Sequence, residues 1–167
     1  MGLDVSSSKV GFSIIDLEQN LLHYEAIKLS SKKELEDRCL DVERIITKSP
    51  YEIKDIFIEA PFMMFSGGKT TAMTMSKLQR FNGMVSFMIR KNFGKNPILI
   101  AANKARGTIG LKIKRGEDTK KKVIEWVSNK YPKQFIVEMT RYGNPKPGTD
   151  DMADAIVVGL SGLLLNY

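Results

Sequence analysis

Apolar and polar positions along the start of the chain fall into three short runs, Gly2 to Val5, Val10 to Asp16 and Leu21 to Leu29. The polar stretches Ser-Ser-Ser-Lys and Glu-Gln-Asn separate them. Runs that are short and apolar or alternate with period two fit extended chain, whose successive side chains point to opposite faces. They predict an antiparallel meander of three strands. The period then changes. Leu35, Cys39, Val42 and Ile46 recur at helical spacing, which predicts a helix from Ser31 to about Lys48 with Ser30 or Ser31 as its cap and Pro50 preventing continuation. Asp55-Ile-Phe-Ile-Glu-Ala, ending at Pro61, suits a short buried strand reached by that crossover helix.

Residues 69–92 predict a long helix with Met75, Leu78, Val85 and Ile89 as its apolar stripe, ended by Gly94 and Pro97. Pro97 to Ala102 reads as another strand, a basic loop follows, and Glu117 to Tyr131 reads as a helix with Val123, Val127 and Tyr131 on one side. Residues 134–139 fit neither period. Gly143-Asn-Pro-Lys-Pro-Gly is a turn-rich entry to a last helix that starts near Thr149 or Asp150 and carries Ala153, Ile156, Val157 and Leu160 inward. The order βββ-α-β-α-β-α-α describes an α/β chain with one mixed five-stranded sheet, an antiparallel meander followed by parallel strands, flanked by helices. With 43% hydrophobic residues and no internal repeat or linker, residues 1–167 are expected to form one domain.

Charge narrows the partners. Lys plus Arg number 26 against 19 Asp plus Glu, a formal net charge of +7, so the surface should attract polyanions, nucleic acid first and an anionic membrane second. The single cysteine, Cys39, excludes an internal disulfide, and no Cys/His cluster supplies a structural zinc site. An intracellular, reducing location is expected, without membrane insertion, because no long apolar run or signal pattern occurs. Met1-Gly2 with Ser6 fits the loose myristoylation pattern, but Gly2 opens a strand that should be buried.

Acidic residues occupy places where burial should discourage them. Asp4 lies inside the first apolar strand, Glu59 ends Ile56-Phe-Ile, and Asp151 with Asp154 begins an otherwise apolar helix. Singly, each has a plain structural use: Asp4 in a turn, Glu59 in a strand-end ion pair, the two aspartates at a helix start. Together, ionised carboxylates in such surroundings cost several kcal/mol unless a cation compensates them, and hard oxygen donors select Mg²⁺ or Mn²⁺. Asp151 and Asp154, three apart, share a helix face near the positive end of the dipole. Two ions about 3.5 to 4 Å apart can flank a phosphodiester without any histidine base. The only histidine, His23, falls in a predicted strand.

Taken in order, these segments resemble the RuvC-like Holliday junction resolvases over nearly the whole chain. Gly2-Leu-Asp4 with Gly11 seven positions on is similar to the family's first strand and turn. Ile58-Glu59-Ala-Pro-Phe62 is similar to its second catalytic strand, Lys77-Leu-Gln-Arg-Phe-Asn-Gly83 to the helix that follows, and Asp151-Met-Ala-Asp154-Ala155 to its closing helix. The resemblance implies an RNase H-like fold, Asp4, Glu59, Asp151 and Asp154 as catalytic ligands of two Mg²⁺ ions, a homodimer, and symmetric nicks across a four-way DNA junction. Asp150-Asp151 resembles the doubled aspartate of phage, poxviral and mitochondrial members; the spacing to Asp154 favours Asp151 as the ligand. Two departures from the bacterial pattern, Asp4-Val-Ser in place of Asp-Pro-Gly and a longer connection at 132–148, suggest a viral branch, and so a bacterial host's cytoplasm if phage-encoded.

Other features bear on substrate. Lys104 to Lys122 carries eight basic and two acidic residues, and Lys104, Arg106, Lys112, Lys114 and Arg115 are candidate phosphate contacts, though a solvated charged face is the plainer use of such a run. Phe62 and Phe65 sit in a loop beside Glu59; by the resemblance, Phe62 falls where the family places an aromatic wedge, while packing under the sheet is the alternative. Lys69, in Gly67-Gly-Lys69-Thr70, is a further DNA-binding candidate. A nucleotide-binding loop would need glycine where Met63 stands, so no nucleotide cofactor is expected. Met73, Met75, Met84 and Met88 read as core or dimer filling. The leading expectation is a dimeric, Mg²⁺-dependent endonuclease resolving branched DNA. The alternatives are a flap or RNA-DNA hybrid nuclease and a catalytically inactive branched-DNA-binding protein; an actin-like ATPase lobe would lack its second lobe at this length.

Overall fold

A computed structural model of the chain describes residues 1–61 and 71–167. Phe62, Phe65, Lys69 and the expected start of the long helix at residue 69 lie outside the described residues. Strands β1 (Gly2–Val5), β2 (Lys9–Ile15), β3 (Leu21–Lys28), β4 (Phe57–Glu59) and β5 (Ile98–Ile100) form one sheet in the order β3-β2-β1-β4-β5. The pairs β3·β2 and β2·β1 are antiparallel, whereas β1·β4 and β4·β5 are parallel, as the meander followed by a crossover requires. The helices are α1 (Leu35–Ile46), α2 (Ala72–Phe93), α3 (Ala102–Thr108), α4 (Thr119–Lys130) and α5 (Thr149–Asn166).

Alternation along the strands sorts side chains to two faces. Leu3, Val5, Val10, Phe12 and Ile14 pack with Leu35, Val42 and Ile46 of α1 and Phe81, Val85 and Ile89 of α2. Phe57 and Ile100 pack on the other face with Val123 and Val127 of α4 and Ala153, Ile156 and Val157 of α5. This second face is where Gly2, Asp4, Gly11 and Ser13 point, and α5 lies directly on it. A Cβ at Gly11 would stand 2.0 Å from the Asp151 carbonyl oxygen, and one at Gly2 would stand 2.3 Å from that of Ala155. Ser13 Oγ completes the seam by donating to the Ala155 carbonyl at 2.9 Å.

Three sequence expectations change. The residues after β5 form α3 rather than a loop, because Ala105, 1% exposed, buries its methyl in the second core and gives the short basic segment an apolar anchor. Helix α1 starts at Leu35, not Ser31: Ser30 Oγ accepts from Lys32 N in a turn, and Glu34 precedes the helix without a side-chain cap. Buried Arg38 holds that turn by donating to the carbonyls of Lys33, Ser31 and Ser7. In α2, capped by Thr71 Oγ1 and ended at left-handed Gly94, the buried wall is Phe81, Val85, Met88 and Ile89; Met75 and Leu78 are half-buried and Met73 is 82% exposed.

The glycine seam makes a stability prediction. Gly11→Ala should lower the unfolding free energy by about 3 kcal/mol or more, since backbone must move to admit the methyl. Gly83→Ala, where a Cβ meets nothing within 4 Å on α2, should instead gain up to about 1 kcal/mol of helix propensity. Urea unfolding of both variants checks this.

Candidate active site

Asp4 stands opposite Gly11 in the β1·β2 register, so its side chain shares the face on which α5 lies. The parallel pairs Gly2·Phe57 and Leu3·Ile58 continue to Asp4 beside Glu59, whose backbones are then about 4.8 Å apart across adjacent strands. From above, α5 begins at Thr149 after left-handed Gly148, and its first turns bring Asp150, Asp151 and Asp154 over the strand ends. The absent side chain of Gly11 lets the α5 backbone descend at Asp151 itself. Thus β1, β4 and α5 each carry acids to one corner of the sheet.

Electrostatics express this crowding. Burial pushes the Asp4 carboxyl well above the usual range, and repulsion by Glu59, Asp154, Asp151 and Asp150 adds to it. Glu59 is raised to about 7 by burial and by Asp154, against the pull of Arg106. Asp154 is raised to about 6, mainly by burial, with Arg106 opposing and Asp150 and Asp151 adding. Asp150 behaves oppositely: burial would raise its pKa, but a hydrogen bond from Lys120 and the charges of Lys120 and Lys9 hold it below the usual carboxylate range.

Cations meet the acids on the α5 side. Lys120 Nζ donates to Asp150 Oδ2 at 2.5 Å. Lys9 Nζ lies 2.5 Å from Asp151 Oδ2 and 3.9 Å from Asp150 Oδ1. The Lys9–Asp151 contact compensates charge without hydrogen-bond geometry, so Asp151 Oδ2 is buried with no aligned donor. Among the described residues, no three His, Cys, Asp or Glu side chains are drawn together tightly enough, as they stand, to cage a metal ion. The four candidate acids therefore share one electrostatic neighbourhood but not yet ligand distance, with Asp151 turned to Lys9 and Asp150 to Lys120. The donor set nonetheless fits a hard divalent cation: it is all oxygen, and it is crowded enough to resist ionisation.

The remaining candidates separate. Lys104, Lys112, Lys114 and Arg115 are exposed. Arg106, half-buried on α3, acts on Glu59 and Asp154, and its guanidinium donates to Ala102 O and Asn103 Oδ1. His23 packs on Phe12 and faces the opposite core. Lys9 and Lys120 escaped sequence reasoning. Lys120 is one of several lysines in a run, and only the β1·β2 register reveals that Lys9 lies within reach of α5.

No family model and no curated protein sequence matches the chain. Among solved structures it is similar to T. thermophilus RuvC in complex with Holliday junction substrate, with a TM-score of 0.70 and 15% identity over 98% of this chain and 90% of that one. It is also similar to a second Thermus thermophilus RuvC structure, with a TM-score of 0.67 and 16% identity over 98% of this chain and 92% of that one. The chain has the RuvC type of RNase H-like fold over nearly its whole length, as its motifs led us to expect.

The raised acids predict a pH-dependent cost. Because Glu59 titrates near 7 when folded and near 4.5 in its ordinary state, the folded chain holds the extra proton between these values. Ionised Glu59 therefore destabilises the fold progressively as pH rises from about 4.5 to 7, by on the order of 3 kcal/mol when complete. In EDTA, Glu59→Gln should unfold at higher urea than the parent at pH 8, with the difference fading towards pH 4.

Proposed function

We propose that this chain is a divalent-metal-dependent endonuclease that resolves four-way or otherwise branched DNA, working as a homodimer. The observation that carries the proposal is the convergence of Asp4, Glu59, Asp151 and Asp154 from three elements onto one corner of a RuvC-type sheet, at a carboxylate crowding that a divalent cation would relieve. Support for the substrate comes from a neighbour of the same fold whose structure holds a Holliday junction. The net charge of +7 is of the sign a polyanion requires.

In this reading Asp4, Glu59, Asp151 and Asp154 hold two Mg²⁺ ions, for which Mn²⁺ can substitute. Asp151 is preferred to Asp150 because it shares a helix face with Asp154, and because Asp150 meets two lysines, Lys120 and Lys9, where Asp151 meets Lys9. Such ions supply Lewis acidity at a phosphodiester, activating water and neutralising the departing oxygen. The chain's own part is positioning. Asp151 and Asp154 stand in the first turns of α5, whose N-terminal end is the positive one, and Arg106 pulls against the protonation that burial imposes on Glu59 and Asp154. Exposed Lys104, Lys112, Lys114 and Arg115 hold the DNA backbone, and pairing of two chains sets two such sites on opposite strands.

Asp4→Asn and Asp154→Asn should each slow Mg²⁺-dependent cleavage of a synthetic four-way junction by about 10³-fold or more, the several kcal/mol of charge stabilisation the ions supply. Junction binding should persist in a mobility-shift assay. Retained cutting would refute the site; preferential cutting of flap or RNA-DNA hybrid would refute the substrate, and binding without turnover by the parent would refute the enzyme. Separately, replacing Lys112, Lys114 and Arg115 with Gln should weaken junction affinity and reduce the slope of log K against log salt by roughly one per lost phosphate contact. An unchanged slope removes this patch from the interface.

A further inference from the structure

We propose that Lys9 is a tethered cation that competes with the divalent ion for Asp151, so that its ammonium must leave before the site can load. The proposal rests on the metal-binding reading above and assigns to a residue of β2 the setting of metal affinity.

The backbone beneath Lys9 is fixed. Ser6 Oγ donates to the Lys9 carbonyl at 2.8 Å and accepts from its N–H at 3.1 Å. Arg38 Nη1, from a buried side chain, donates to Ser7 O at 2.7 Å and clamps the same turn against α1. The Lys9 side chain by contrast is 29% exposed and has a path to solvent. It spans from β2 to the first turn of α5, where Asp150 is already held by Lys120, so Asp151 is its principal partner.

The contact has the character of a displaceable one. Nζ sits at 2.5 Å from Asp151 Oδ2, close enough to neutralise it, on a side chain that is 29% exposed and can withdraw towards solvent. An ammonium on a flexible four-carbon stem is a compact point charge that can stand where a metal ion's charge is needed and then withdraw. Two cations competing for one carboxylate weaken each other by the same factor. Lys9 thus holds Asp151 in place and raises the ion concentration at which the site fills.

Lys9→Met keeps the length of the side chain and removes its charge, while Lys9→Arg keeps the charge. Mn²⁺ binding by titration calorimetry at pH 8 should be roughly tenfold tighter for Lys9→Met than for the parent, matching the loss of one charge-assisted contact, with Lys9→Arg near the parent. In EDTA, Lys9→Met should melt below the parent and gain more from saturating Mn²⁺. A lysine with a purely structural role would loosen the site, so unchanged or weaker Mn²⁺ binding by Lys9→Met overturns the proposal. Asp151→Asn distinguishes the two failures. If the parent binds Mn²⁺, Asp151→Asn does not, and Lys9→Met equals the parent, the metal site stands and the role of Lys9 falls; if the parent binds no Mn²⁺, both fall.

Discussion

The backbone of α5 lies directly on β1 and β2 at Gly2 and Gly11, and the rest of the site depends on that approach. Gly2 and Gly11 present bare Cα atoms to the carbonyls of Ala155 and Asp151, Gly159 on the helix answers over Gly2, and Gly162 makes room for the Phe57 ring of β4. Any larger residue at Gly11 would lift the N-terminal turn of α5 away from Asp4. The helix also supplies much of the second core through Ala153, Ile156 and Val157, so the contact that brings the acids together is continuous with the contact that holds the sheet. Position of the acids and stability of the fold are therefore one packing problem.

Crowding the acids has an energetic consequence that packing must offset. Asp4, Glu59 and Asp154 are all raised, with burial as the leading cause in each, which means the fold spends stability to keep them together. Lys9, Lys120 and Arg106 relieve part of that repulsion from three directions, β2, α4 and α3. A purely structural corner would do better with apolar residues of similar volume. Asp4, Glu59 and Asp154 stand where burial disfavours their charge, which is the feature the proposed metal site would explain.

Much of this was legible in the sequence because it follows from period and sign. Alternation in β1 to β3 placed the strands to within a residue or so, and the acids announced themselves by standing in apolar runs at Asp4, Glu59, Asp151 and Asp154. The last helix was plain from its turn-rich entry, with a start near Thr149 or Asp150, and from its inward Ala153, Ile156, Val157 and Leu160. What escaped had no local signal. Helix α3 is only 7 residues of mostly polar chain, and its order comes from Ala105 touching a core assembled by distant elements. Ser30 looked like a cap yet serves a turn, because Arg38 draws the Ser31 and Lys33 carbonyls inward. Lys9 and Lys120 are ordinary basic residues until the sheet register and the placement of α5 set each beside an aspartate.

The most direct test of the central claim is anomalous diffraction from crystals of the protein grown in saturating Mn²⁺. Manganese peaks among the carboxylates of Asp4, Glu59, Asp151 and Asp154 are the result expected. Carboxylates that keep their lysine partners, with no anomalous density at that corner of the sheet, would contradict the account.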